Sequence, residues 1–377
     1  MENGVKRRSF LERMALGVSS LTLLPFLGNA NQQKEAMNNK SAIKKIKPLG
    51  FQWETSDPFL FCVHHEDDFP KGNANCGPDP EFFKGRHIGQ DFIIKDGFRM
   101  YHGETVPGFP GHPHRGFETI TVVRKGLVDH ADSTGAAGRY GDGDVQWMTA
   151  GKGVLHSEMF PLLKETEKNP MELFQIWLNL PKKSKMVKPH FKMIWSDEVP
   201  RFSVKSNNGN SINIEVLLGQ LGAYSASAAP PDSWAANPNN HVAIYNIEME
   251  PNTEWNLPAT AEGVNRTIFY YEGNNLQIDG KTIPNYHGVE VEPTAELKLL
   301  NSNEKSKILI LQGRPINEPV VQHGPFVMNS REEIYKAFED YQKTQFGGWP
   351  WPKYDQVHDR KLGRFARHSD GKEEYKG

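Results

Sequence analysis

Two short histidine patterns stand out among the residues able to do chemistry. His112-Pro113-His114 places two imidazoles two residues apart, and His156-Ser157-Glu158 repeats the spacing with a carboxylate some 40 residues later. Alternate residues of a strand face the same side, so each pair can aim into one cavity. Pro113 would then face outward, which suits an edge or bulged strand. Three neutral imidazoles and a carboxylate form a mixed N/O donor set that suits Fe2+, and also Mn, Ni, Cu or Zn. Four such ligands leave two octahedral positions for a substrate and O2. Glu118, four residues after His114, is a second candidate carboxylate, because on an unbroken strand it shares the face of His112 and His114. His64-His65 are immediate neighbours and would face opposite sides of a strand, which reads as a structural or surface pair.

The elements that must position these residues read as β. Phe117 to Val123 is rich in β-branched residues, Val145 to Met148 follows Gly141-Asp142-Gly143-Asp144, and Leu173 to Leu180 is stopped by Pro181. Gly143, Gly151 and Gly153 supply the turn before His156. Short apolar runs bounded by Gly, Pro and Asp are the pattern of a sandwich or barrel. The 34 Gly and 26 Pro of this 377-residue chain fit that turn density. A Lys-, Pro- and Ser-rich stretch over 182–210 reads as a connection, and strand-like runs then resume from Ile212 to Leu311. Near the end, Ser330 and Glu333 have capping-box spacing, and Ile334, Ala337, Phe338 and Tyr341 recur at helical period. The expected architecture is all-β: two tandem barrels over 48–181 and 182–345, a short C-terminal helix over 330–343, and a charged tail over 346–377.

Basic and acidic residues nearly cancel, at 44 against 46. No field of one sign is present to draw in nucleic acid. Two cysteines exclude a disulfide-rich scaffold and a four-cysteine zinc site. The first thirty residues read as an address. Lys6-Arg7-Arg8 precedes an uncharged stretch from Met14 to Leu27, which ends in Gly28-Asn29-Ala30. Fourteen residues fall short of the ~20 that span a bilayer, so no stable membrane insertion is expected once this segment is removed. Arg7-Arg8 with Phe10-Leu11 resembles a twin-arginine export signal, with Lys6 and Glu12 at variance from the usual pattern. Export in the folded state, to the periplasm or beyond, is the expectation. Removal of residues 1–30 takes away four basic and two acidic residues and leaves a net charge of −4. Residues 31–47 are polar and Lys-rich and read as a flexible tether.

The blocks around the histidines also resemble a known family. Pro107-Gly108-Phe109-Pro110-Gly111-His112-Pro113-His114-Arg115-Gly116-Phe117-Glu118-Thr119, Gly143-Asp144-Val145-Gln146-Trp147-Met148-Thr149-Ala150-Gly151 with His156-Ser157-Glu158-Met159, and Gly313-Arg314-Pro315-Ile316-Asn317-Glu318-Pro319 with Gly324-Pro325-Phe326-Val327-Met328-Asn329 are similar to signatures of the pirins, members of the cupin superfamily. The resemblance spans roughly residues 50–347. It implies two cupin barrels (double-stranded β-helix, or jelly-roll), one metal, typically iron, in the N-terminal barrel, and the ligands His112, His114, His156 and Glu158. The wider cupin pattern would instead take Glu118.

The resemblance further implies a monomer, no metal in the second barrel, and an activity on flavonols of the quercetin 2,3-dioxygenase type. In that activity the metal binds a deprotonated flavonol hydroxyl, Glu158 takes its proton, and O2 adds with release of carbon monoxide. Phe109, Phe117 and Trp147 are candidate apolar walls for such an aromatic substrate. The alternative is a non-catalytic, metal-dependent binding or redox-sensing regulatory module; a sugar isomerase or lyase fits the same site. Two features depart from the pirin pattern: a polar insertion over 61–106 that carries Cys62 and Cys76, whose pairing an oxidising compartment would allow, and the tail after Gly347.

Overall fold

The computed structural model describes residues 41–376. The expected export signal over 1–30, and the expected tether as far as residue 40, lie outside the described residues. The chain folds into two β-barrels packed side by side, with a single helix of more than one turn among the described residues.

The first barrel is built from two six-stranded sheets. One runs in the order Glu373–Lys376, Arg364–Arg367, Ala137–Gly141, Leu127–Asp132, Val154–Met159, Gly108–His114. The other runs His190–Ile194, Val145–Thr149, Phe117–Lys125, Asn169–Asn179, Phe59–Phe69, Gln52–Trp53. The second barrel pairs a seven-stranded sheet with a four-stranded one.

The ends of the chain are exchanged between the barrels, and this corrects three expectations. Ile43–Pro48 is no tether: it pairs antiparallel with His287–Val291 at the edge of the second barrel. His190–Ile194 falls in the expected connection but pairs with Val145–Thr149 of the first barrel. The tail at 346–377 returns to the first barrel, where Arg364–Arg367 adds to Ala137–Gly141. In each case an edge strand offers unpaired N–H and C=O groups, and a polar segment whose apolar residues alternate weakly is enough to cover them.

The sheet containing Phe117–Lys125 is buried on both faces. Ile120, Val122, Trp147, Phe174 and Ile176 pack with Leu217, Ile244, Phe269 and Leu309 of the second barrel in one core. Trp53 stacks on Phe269 at 5.1 Å across this seam. The opposite face lines the interior of the first barrel. Inside the second barrel, Ile214, Val216, Ile247, Ile268, Leu299 and Ile310 fill the space, and His241, His287 and His323 lie in surface positions.

The helix, α1, spans Arg331–Thr344. Ser330 Oγ accepts from the Glu333 N–H, and Glu333 Oε2 accepts from the Asn329 N–H, which satisfies two donors that a helix start leaves unpaired. Ile334 and Ala337 pack against Phe326 and Met328. Cys62 and Cys76 are both buried and unpaired.

Glu118 sits at the seam between the barrels. The strand expected to carry it beside the histidines breaks at Arg115-Gly116, where Gly116 takes φ +86° and the chain passes from one sheet to the other. Its carboxylate accepts from Thr149 Oγ1 at 2.7 Å and from Ser233 Oγ, in the second barrel, at 2.5 Å. Burial pushes its pKa up to about 7, and the two hydroxyl donors only partly oppose this. A raised folded-state pKa stabilises the fold fully below the unfolded value, and that stability is lost as pH rises toward 7. Denaturant unfolding should therefore show stability falling by on the order of 3 kcal/mol between pH 4.5 and 7.5 through this one group. Glu118→Gln, whose amide oxygen accepts from one hydroxyl and whose NH2 donates to the other, should flatten that part of the profile; an unchanged slope would remove Glu118 as its source.

Candidate metal centre

The three histidines come together through strand register. Gly108–His114 pairs antiparallel with Val154–Met159, and His112 stands directly opposite His156. A bulge between Phe109 and His112 shifts the register so that His112 and His114, rather than Pro113, share the inward face with His156. The ring centroids of His112 lie 4.4 Å from His156 and 4.8 Å from His114. One ring nitrogen from each of the three lies within 4.8 Å of the others.

The tail holds these two strands from outside the barrel. A Cβ on Gly111 would lie 2.4 Å from the ring of Tyr354, and one on Gly153, at φ +133°, 2.6 Å from the ring of Phe346. Only glycine lets the tail approach so closely. Asp129 and Arg139, both buried, form a two-pronged pair at 2.7 Å. The same guanidinium donates to the carbonyls of His358, Asp359 and Leu362.

The rings are prepared to donate lone pairs. His112 Nδ1 lies 3.0 Å from the Pro110 carbonyl, so that nitrogen carries the proton and Nε2 is left for the cluster. His114 Nδ1 and both nitrogens of His156 are buried without a hydrogen-bond partner. Burial, reinforced by the neighbouring imidazoles, pushes His112 down to about 4 and holds His114 and His156 well below the ordinary histidine value. Neutral rings with unsatisfied nitrogens are costly unless a ligand meets them, at about 1–3 kcal/mol for each buried polar group. The donor set therefore fits a first-row divalent ion.

Glu158 lies in the same cavity but is held separately from the imidazole cluster. Its Oε1 accepts from Thr121 Oγ1 at 3.0 Å and its Oε2 from Gln175 Nε2 at 2.8 Å. Burial raises its pKa, opposed by these two donors. Glu118, in contrast, lies across the sheet in the inter-barrel seam and does not line this cavity.

The cavity, of about 130 Å³, is lined by His112, His114 and Glu158 at one end and by Phe61, Phe109, Phe160 and Trp177 along its walls. Of the three aromatic walls expected, Phe109 is present. Phe117 lies one layer behind, stacked on Trp177 at 3.9 Å. Trp147 faces the other barrel, and Trp177 takes the place expected of it. The reason is parity: on Asn169–Asn179, Leu173, Gln175 and Trp177 face the cavity, while Phe174, Ile176 and Leu178 face the seam.

Parity also divides His64 from His65: the two face opposite sides and His64 is structural, as expected, but His65 is not. His64 stacks on Phe174 at 4.6 Å and meets Glu172 in the seam, whereas His65 is in the cavity wall.

His130 was missed altogether. It is fully buried, its ring lies 5.4 Å from that of His156, and its Nε2 donates to Asp132 Oδ2 at 3.3 Å. His130 and Asp132 stand opposite Glu158 and His156. The signal was again an i, i+2 pair on a strand, but outside the blocks that drew attention.

Residues 52–178 match the Pirin family, and residues 244–347 match the Pirin C-terminal cupin domain. The chain is 34% identical to a pirin-like protein of Solanum lycopersicum over 68% of its length and 81% of that protein. It is 31% identical to the pirin of Homo sapiens, over 68% of this chain and 82% of that one. The chain belongs to the pirin family. A Pseudomonas aeruginosa pirin relative, provisionally named a quercetin 2,3-dioxygenase, is 34% identical over 70% of this chain and 87% of its own. In fold, this pirin is similar to a crystal structure of a quercetin 2,3-dioxygenase from Acinetobacter baumannii, with a TM-score of 0.64, 24% identity, and coverage of 81% of this chain and 98% of that one. It is a cupin metal protein whose candidate site is in the N-terminal barrel.

Proposed function

We propose that this pirin is an exported, mononuclear-metal dioxygenase of flavonols, with iron as its metal. The observation that carries the reading is a cluster of three neutral imidazoles, two of which, His112 and His114, line a cavity whose walls carry aromatic rings. The Pseudomonas relative, provisionally named for quercetin 2,3-dioxygenation, supports the substrate class.

His112, His114 and His156 would hold the ion, and Glu158, held by Thr121 and Gln175 in the same cavity, would become the fourth donor only by turning from them. When bound, the ion supplies Lewis acidity toward a flavonol hydroxyl and a site for O2. The residues do the rest. Phe109, Phe160 and Trp177 exclude water and hold the planar ligand edge-on to the imidazoles. Burial raises the pKa of Glu158, so its carboxylate is a better acceptor for the flavonol hydroxyl proton than an exposed one. Thr121 and Gln175 fix it for that transfer. Both atoms of O2 enter the products, an ester and carbon monoxide, so no external reductant is required.

Elemental analysis should find one metal per chain. His112→Ala and His156→Ala should each lose most of it, because packing cannot replace a lost donor, and Glu118→Gln should retain it. Retention in both histidine variants would overturn the ligand set. Glu158→Gln should keep much of the metal yet lower flavonol-dependent O2 uptake by about 10²-fold or more, the scale of a lost acid–base group. Stoichiometric metal without uptake in the unaltered protein would favour the binding-module alternative.

Export in the folded, metal-loaded state is part of the proposal. Changing Arg7 and Arg8 together to Lys should leave the protein, uncleaved, in the cytoplasm, where cell fractionation and N-terminal sequencing would find it. A product still exported and beginning near Asn31 would point to the ordinary secretory route.

A further inference from the structure

The cavity has a second polar end, which the proposed chemistry does not use. His65, only 4% exposed, is in the cavity wall near the mouth. One aromatic ring separates it from the metal-site imidazoles: Phe109, whose centroid lies 5.9 Å from His65 and 6.2 Å from His112.

A buried chain of hydrogen bonds fixes the protonation of His65. Arg99 grips Asp67 through Nε to Oδ1 and Nη2 to Oδ2, both at 3.0 Å, and its backbone N–H adds a third bond at 2.8 Å. Burial raises the pKa of Asp67, and the Arg99 guanidinium and N–H oppose it; with all three Arg99 donors on it, Asp67 acts as an acceptor. The Tyr101 hydroxyl therefore donates to Asp67 Oδ2, at 2.5 Å. The tyrosine oxygen is then left to accept from His65 Nδ1, at 2.9 Å. With its proton on Nδ1, His65 presents a lone pair at Nε2, and no group among the described residues bonds that nitrogen. Burial, with Arg99 and His64 adding to it, pushes the ring down to about 3, so it stays neutral.

The insertion keeps this chain in place at a conformational cost. Tyr101 is fully buried with φ +58°, a left-handed backbone that a bulky aromatic residue adopts rarely. Asp91 secures it, exchanging backbone hydrogen bonds with Tyr101 at 2.8 Å while its side chain accepts from the Met100 N–H. Phe51 and Phe92, both part-exposed, complete an aromatic rim around His65 and Tyr101.

A fixed acceptor in an apolar wall is left unsatisfied by an apolar ligand and is met by a hydroxyl. We infer that His65 Nε2 accepts a hydrogen bond from a hydroxyl on the outer ring of a polyhydroxylated aromatic substrate whose other end reaches the three imidazoles, and that Tyr101 is the positioning residue that holds His65 in this form. The inference rests on the flavonol reading for its occupant and adds the element that selects among flavonols.

The test is anaerobic fluorescence titration of the metal-loaded full chain with 3-hydroxyflavone and with flavonols that carry added outer-ring hydroxyls. The unaltered protein should bind the hydroxylated ligands about tenfold more tightly, equivalent to about 1.4 kcal/mol. His65→Leu should bring the ratio to within about twofold at unchanged metal content. Tyr101→Phe should also lower it, and ¹⁵N NMR should show His65 protonated at Nδ1 in the unaltered protein and redistributed between the two nitrogens in the variant, a change that a purely structural role would not produce. If His65→Leu fails to fold, Tyr101→Phe and the NMR measurement decide the matter. Equal affinities in the unaltered protein, a ratio unaffected by either variant, or a proton on Nε2 would each overturn the inference. Because the titration excludes O2, hydroxyl-dependent binding without turnover would sink the dioxygenase reading and leave this one standing, and turnover without hydroxyl preference would do the reverse.

Discussion

The sheet shared by the metal-site cavity and the inter-barrel seam is buried on both faces, and this constraint governs the molecule. In a sheet with one wet face, a polar side chain can turn to water. Here each residue either lines the cavity or enters the seam, and alternation along the strand decides which. Thr121 and Gln175 reach Glu158 on one side, while Glu118 must find Thr149 and Ser233 on the other. His65 and His64, adjacent in sequence, divide between a ligand pocket and an aromatic seam for the same reason. A one-residue slip of register would place Glu118 in the cavity and leave Glu158 without its donors.

The two barrels solve the same packing problem in different ways. The second fills its interior with Ile, Leu and Val, the ordinary means of closing a small barrel. The first gives up part of that apolar core for imidazoles, of which His114 Nδ1 and both nitrogens of His156 have no protein partner. Such an interior is disfavoured on its own. It is stabilised from outside by the Asp129–Arg139 pair and the tail clasped to it, and by the aliphatic core at the seam. A bound ion would meet the remaining unsatisfied nitrogens, so its binding and the ordering of this barrel are thermodynamically linked.

Much of this was legible in the sequence. The i, i+2 histidine pairs, the glycine turns before His156 and the apolar runs encode the strands and their inward face locally, and the spacing of Ser330 and Glu333 marks the helix start. What escaped is non-local. The break at Arg115-Gly116 moves Glu118 to another sheet, and a strand pattern carries no sign of which sheet follows a turn. The exchange of Ile43–Pro48, His190–Ile194 and Arg364–Arg367 between barrels depends on which edges are left open, a property of the finished sheets. His65 and His130 stand among other polar residues on Phe59–Phe69 and Leu127–Asp132, where alternation separates the two faces but does not say which one meets a cavity.

The loop that follows Phe59–Phe69 and the tail after Gly347 act on opposite sides of one site. The tail presses on the outside of the histidine strands through Phe346 and Tyr354, where it can hold the donor geometry but touch no ligand. The loop places Phe92 and His102 in the cavity wall, with Tyr101 and Arg99 buried behind them. The reacting end of the cavity is built on paired strands; at its selecting end the strand residue His65 is held by Tyr101 and flanked by Phe92, both from the loop that follows. Loops tolerate change far better than paired strands do. Substrate choice can therefore drift through the loop residues that orient His65 and flank it, while His65 itself and the imidazoles stay where strand register sets them.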